Sequence, residues 1–173
     1  WGARMGSVIS QPVVSGRDRP WQIEQGIEAR TSVEWDPGTF TRLRLEGSAE
    51  KEWMDSPYHG DPERDRLSVA VQDELYLGES ITLAPALRYD RIGAHEGLSS
   101  QLGVSYRPFT FLEFRANVGS SFRAPSLGEL YLVAGPLQPN PDLRPERSRM
   151  VDGGMILRLP STQVQVAAFL ART

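Results

Sequence analysis

The chain contains no cysteine. That excludes a disulfide framework, a thiolate metal site and a cysteine nucleophile. Histidine is nearly absent too: only His59 and His95 occur, and they are too far apart to read as a metal-ligand pair. Charge of one sign is lacking, since 19 basic against 22 acidic residues leave a net charge of −3. No basic field points to nucleic acid or to an anionic membrane surface. No apolar run approaches the roughly 18 to 20 residues of a membrane-spanning helix. The first residue is Trp1, and neither an initiating methionine nor a charged-then-apolar leader precedes the body of the chain. The expectation is a mature or trimmed chain, a piece of a larger protein. Catalytic patterns are missing as well: there is no His-Glu-x-x-His, no phosphate-cradling glycine loop and no Gly-x-Ser-x-Gly, so neither an enzyme nor a resident cofactor is expected.

What the sequence has is alternation with a period of two. From Trp21 to Trp35 one face reads Ile23, Gln25, Ile27, Ala29, Thr31, Val33 and Trp35, without a charge; the other carries Glu24, Glu28, Arg30 and Glu34. From Phe40 to Trp53, Leu43 and Leu45 oppose Arg42, Arg44 and Glu46. The same division recurs at Leu83 and Leu87 against Arg88 and Asp90, at Leu112 and Phe114 against Glu113 and Arg115, and at Val164 and Val166 against Gln163 and Gln165. About nine strands follow, roughly 1–9, 21–35, 39–53, 66–77, 81–91, 99–107, 110–119, 148–159 and 162–172. Several exceed the usual soluble strand of about 5 to 6 residues. Asp73 interrupts an apolar face, which calls for a bulge or a membrane-boundary position.

Connections alternate in length. Short links are expected at 36–38, 78–80, 108–109 and 160–161, and long ones at 10–20, 54–65, 92–98 and 120–147. Transmembrane barrels keep this order, with short turns on one side and long loops on the other. A one-sided sheet of a soluble protein is the plainer reading of amphipathic strands, but it does not require charge-free faces. A Lys or Arg facing mid-bilayer lipid costs roughly 2–4 kcal/mol. The expected fold is therefore all-β: an antiparallel up-and-down meander forming part of a transmembrane β-barrel. Ile27, Val33, Leu43, Leu45, Leu83, Leu87, Leu112, Phe114, Val164 and Val166 should face lipid. Glu28, Arg30, Arg44, Arg88, Asp90, Arg115 and Arg158 should face inward.

The longest connection carries its own punctuation. Ser126 and Glu129 form a Ser-x-x-Glu capping box behind Pro125, so a short helical turn is expected over 126–131. Asn140-Pro141 marks a turn, and Pro145 blocks ladder continuation. Phe122-Arg123-Ala124-Pro125, Glu129-Leu130-Tyr131 and Asn140-Pro141-Asp142-Leu143-Arg144-Pro145-Glu146, in this order and spacing, resemble the TonB-dependent receptor family of outer-membrane barrels. Gln72-Asp73-Glu74 and Leu87-Arg88-Tyr89-Asp90 resemble the family's preceding strands. The resemblance covers roughly residues 66–173 closely and 1–65 only as general barrel pattern.

The resemblance implies a partial wall of a barrel of about 22 strands. It implies a separate plug domain and coupling to TonB, and uptake of a scarce nutrient such as a ferric siderophore or cobalamin across a Gram-negative outer membrane. A passive porin and, behind it, an outer-membrane barrel enzyme are the alternatives. The charged residues of the loop, Arg123, Glu129, Arg144 and Glu146, contact the plug or transport path in one reading and pair among themselves in the other; the second is preferred. Loop tips expected to meet ligand include Tyr58, His59, His95, Tyr131 and Leu132.

Overall fold

In a computed structural model of the protein, described over residues 2–9, 23–36, 40–55, 61–132 and 139–173, nine strands form one sheet in the order of the chain. They are β1 (Gly2–Ile9), β2 (Ile23–Trp35), β3 (Thr41–Asp55), β4 (Glu63–Leu77), β5 (Ile81–Ile92), β6 (His95–Phe109), β7 (Leu112–Arg123), β8 (Glu146–Arg158) and β9 (Gln163–Arg172). Each pairs antiparallel with its sequence neighbour. The one helix among the described residues, α1 (Leu127–Tyr131), lies in the β7–β8 connection.

Register carries the alternation from strand to strand. Val33, Leu45, Val71 and Leu87 stand in one row, as do Phe114, Met155 and Val166. These rows are apolar and, apart from the half-buried Met155, exposed: Val166 is 60% accessible and Leu45 47%. The opposite face is the crowded one. Glu52, Ser68, Asp90 and Glu113 are buried there. A soluble sheet does the reverse, burying its apolar face against a second layer. Crowding on the charged face and exposure on the apolar face are what a sheet bent toward its polar side produces. Of the residues expected to face outward, Val33, Leu45, Leu87, Phe114, Val164 and Val166 are exposed, Leu43, Leu83 and Leu112 are half-buried, and the side chain of Ile27 lies outside the described residues. Near the short turns the exposed aromatics Trp35, Phe40, Tyr106, Phe109, Phe111 and Phe114 gather. Tyr106 and Phe114 stack at 6.4 Å, and Phe109 and Phe111 at 5.3 Å.

Two local expectations are corrected, and of the two readings of Asp73, a bulge or a membrane-boundary position, the first is removed. The 92–98 connection is a two-residue turn, because Arg91 and Ile92 continue the ladder to Glu96 and His95 and Gly93 takes a φ of 57°. His95 therefore opens β6 instead of sitting on a long loop. The link at 108–109 belongs to β6, whose register slips between Tyr106 and Phe109 around Pro108; the turn is Thr110–Phe111. Asp73 lies on no bulge: the β4–β5 register is the same on either side of it. The ladder merely opens opposite Pro85, which has no N–H to give, and the Asp73 carboxylate accepts a hydrogen bond from the Thr41 hydroxyl.

At the long-connection end β7 parts from β6. Their pairing stops at Ser100–Ser120, and the Phe122 N–H turns to the Ser99 hydroxyl at 3.0 Å. The Phe122 ring then lies directly on Gly97, where an added Cβ would meet ring atoms at 2.1–2.6 Å. Gly97 to Ala is expected to destabilise the full-length barrel by about 1–3 kcal/mol through overpacking, with Phe122→Ala in the same chain removing most of the added cost of the new Cβ. Denaturant unfolding of the four-member cycle reads this; additive effects would show that ring and backbone do not meet.

Candidate functional site

The site is built from the crowded face of the wall and the β7–β8 connection that folds over it. Pro125 ends the strand, and Ser126 starts α1 as its N-cap. The Ser126 hydroxyl accepts from the Glu129 N–H at 3.1 Å, and the Glu129 carboxylate accepts from the Ser126 N–H at 2.8 Å. Both halves of the capping box are thus formed, and two otherwise orphaned donors are satisfied. The Asn140 side chain accepts from the Asp142 N–H at 3.1 Å, closing the turn ahead of Pro145.

Arg123 lies between Glu129, at 2.7 Å, and Glu146, at 3.3 Å. One guanidinium ties the strand end, the helix and the start of β8 together. Arg144 makes no such pair among the described residues. It follows Asn140-Pro141 on an exposed stretch, out of reach of the two glutamates that Arg123 occupies. Leu127 and Leu130 are buried, Tyr131 and Phe122 half-buried. α1 lies against β3, four strands away from β7. At this end of the polar face Met54 and Ile92 are also buried, an apolar seat in an otherwise charged wall.

Two elements of the site escaped the sequence reading. The first is the pair Arg64–Glu52, each side chain 8% accessible. Arg64 also donates to the Pro125 carbonyl, so the wall holds the loop by its backbone. The second is Glu113, 1% accessible, which receives Arg158 at 2.8 Å, Arg107 at 3.2 Å, and Arg115. Ser105 adds a hydroxyl at 3.2 Å. Three guanidiniums on one carboxylate leave this corner of the inner wall positive. Along the strands between, the Arg88 guanidinium donates to Asp90 and to the Ser68 hydroxyl, and Asn117 donates to Asp152. A concavity of about 240 Å³ opens there, lined by Glu46, Gln72, Arg88, Ser99, Gln101 and Ser121. This is a polar, hydrogen-bonding lining. Tyr58 and His59 lie outside the described residues.

Residues 11–173 match the family described as TonB dependent receptor-like, beta-barrel. Transferrin-binding protein A of Neisseria meningitidis serogroup B is 32% identical over 101 residues, covering 51% of this chain and 11% of that protein. The vitamin B12 transporter BtuB of Vibrio vulnificus is 32% identical over 92 residues, covering 51% of this chain and 14% of that protein. The crystal structure of the siderophore receptor PirA from Pseudomonas aeruginosa superposes with a TM-score of 0.78 at 18% identity, over 87% of this chain and 32% of that one. The chain thus spans a small part of each relative.

Two predictions follow from the geometry of the loop. Arg64→Ala leaves the buried Glu52 with Arg66 alone, at 3.0 Å, and strips the donor from the Pro125 carbonyl, and should cost about 1.5–3 kcal/mol in the full-length barrel. Arg123→Ala breaks half-exposed pairs, and should cost nearer about 1 kcal/mol. Equal losses in denaturant unfolding would show that the buried pair is not the anchor. The second concerns pH. The Arg123 guanidinium, then the Ser126 backbone N–H, hold the Glu129 carboxyl below its usual range. A depressed folded pKa contributes stability that is complete above the unfolded value and is lost as pH falls through the folded one. Protease cleavage within 124–145 should therefore rise only below the ordinary carboxylate range, and Arg123→Gln should move that rise to higher pH. An unmoved profile would separate Glu129 from the latch.

Proposed function

The chain belongs to the TonB-dependent receptor β-barrel family, and on that footing we propose that it forms part of the wall of an outer-membrane receptor that takes up a scarce nutrient with energy from the TonB complex. The observation that carries this is the inverted sheet: nine strands in chain order with the apolar face bare and the charged face crowded and hydrogen-bonded. Bare apolar rows suit lipid, and charged rows suit an aqueous, filled lumen. The inward β7–β8 loop adds a second support. Its helix α1 reaches the polar face at β3, four strands from β7, which suits a wall packed against a plug better than one kept open for passive diffusion.

The roles follow from position. Arg88, Asp90, Arg115, Asn117 and Asp152 line the solvated inner wall. Arg123, Glu129 and Glu146 hold the loop, while Arg144, without an ion pair among the described residues, is the member of that set left to meet the plug. Phe122, Ala124, Pro125, Leu130 and Tyr131 seat the loop against the wall, and Asn140, Pro141, Asp142, Leu143 and Pro145 shape its return. His95 stands toward the long-connection end, where nutrient would arrive; Tyr58 and His59 fall by sequence in the connection between β3 and β4, outside the described residues. The nutrient class is a ferric siderophore, cobalamin or a similar scarce solute; the relatives named for transferrin, vitamin B12 and siderophore point the same way. The chain does no chemistry of its own on this reading. It binds, excludes leakage and yields a path when the plug is pulled.

The full-length receptor tests this. Cells expressing it should accumulate labelled nutrient from a panel of ferric siderophores and cobalamin, and depletion of TonB should abolish that uptake. Uptake that survives depletion would make it a passive porin. Facing is tested by charge: Val118→Arg should lower folded yield in bilayers by about 2–4 kcal/mol of stability, while Asn117→Arg, one residue along and inward, should be tolerated. Equal tolerance would remove lipid from the Val118 face.

A further inference from the structure

Arginine on the apolar face is unexpected. Arg149 pairs in register with Arg172, and both stand in the file of Val151 and Leu170. Ser120, the partner of Arg149 on β7, is in turn hydrogen-bonded to Ser100 at 3.0 Å. Like charges directly opposite across a ladder repel. Among the described residues neither guanidinium has an ion-pair partner, in a wall where Arg30, Arg42, Arg44, Arg64, Arg66, Arg88, Arg107, Arg115, Arg123 and Arg158 all do. Arg147, two residues before Arg149, is likewise unpaired among the described residues. The three line a concavity of about 400 Å³ where β7 and β8 part from β6, whose wall also includes Leu98, Ser120, Ser121, Ser148 and Thr173.

We propose that this notch binds the phosphate of a lipid headgroup in the leaflet at the long-connection end, with Arg149 and Arg172 clamping the phosphate and Arg147 and Ser120 beside it. Arginine forks match phosphate oxygens, and an anion between Arg149 and Arg172 turns their repulsion into attraction. The lipid source, as against free phosphate, follows from continuity. Directly along the same file lie Val151, Leu170 and Val118, 54%, 74% and 50% accessible, which an acyl chain would cover. The arginines sit where that apolar band ends, at the height of a headgroup. The reading rests on the membrane orientation of the apolar face.

The full-length receptor in non-ionic detergent, offered dioleoyl phosphatidic acid and read by native mass spectrometry, tests it. The wild type should retain the lipid. Arg149→Gln with Arg172→Gln should weaken retention by at least about tenfold, from about 1 kcal/mol per surface cation. Arg42→Gln with Arg44→Gln, the same charge removed from the inner face, should not. Either single glutamine variant should show part of the loss, which keeps the test open should the double variant misfold. Three outcomes overturn the site: retention unchanged in both the single and double variants, equal retention of dioleoylglycerol, which has no phosphate, or displacement by inorganic phosphate at equal concentration. If neither lipid associates, the membrane orientation itself fails; equal retention of both leaves that orientation standing and removes only the phosphate clamp.

Discussion

Unslipped antiparallel register is the constraint on which the rest of the molecule depends. Side chains change face at every residue, so one step of slip in one pair would carry a whole strand's charges to the other side. Seven successive pairings, from β2 to β9, keep Glu28, Arg44, Arg88, Arg115 and Arg158 on one face and Val33, Leu45, Leu87, Phe114 and Val164 on the other. The one shift falls between Tyr106 and Phe109, beside a turn, where the strand is about to end. The ladder's other defect, at Pro85, opens hydrogen bonds without changing register. Imperfection is tolerated where it costs a bond, not where it would reverse a face. The cost of reversal decides this: a single misplaced guanidinium in hydrocarbon outweighs several net backbone hydrogen bonds.

That same constraint explains what could be read from the sequence. Faces and strand order were legible because a period of two is a local property, visible in Ile27 to Trp35 or Leu112 to Val118 without knowledge of any neighbour. The capping box at Ser126 and Glu129 was legible for the same reason. The hairpin at Gly93 was not: Asp90-Arg91-Ile92-Gly93-Ala94-His95-Glu96 is polar on both sides, so it resembles a loop although the ladder runs through it. Beyond the apolar band nothing forces strands to alternate, and the signal fades while the structure continues. Asp73 was legible only as an alternative, a bulge or a membrane-boundary position; the unbroken register removes the bulge, and the carboxylate accepts a hydrogen bond from Thr41 at the start of β3.

Partnerships across strands were the least legible. Glu113 gathers arginines from β6, β7 and β8, and Arg64 reaches Glu52 on β3 and Pro125 past the end of β7. Such sets are fixed by register and curvature, which no window of sequence contains. The loop residues were singled out by resemblance, yet the pair that buries the loop's anchor lies in the first 65 residues, where resemblance was weakest. Of the four charged loop residues expected to pair, Arg123, Glu129 and Glu146 do so in one cluster, and Arg144 stands apart. Two glutamates can satisfy one guanidinium held between them; a second arginine there would have added repulsion.

One bend links the inner site to the outer surface. Above Ser120 the β7–β8 ribbon leaves β6, and Gly97 is what makes the departure possible, because the Phe122 ring occupies the volume of the missing side chain. Moving inward, the ribbon brings Arg123 over the polar face and aims α1 at β3, where Leu127 and Leu130 find burial that a strand at the wall would not offer them. Moving away from β6, it opens the notch that Arg147, Arg149 and Arg172 line from the other side. Loop closure inside and cation exposure outside are therefore not independent features. An anion held in the notch would offset the repulsion between Arg149 and Arg172 where the ribbon parts from the wall.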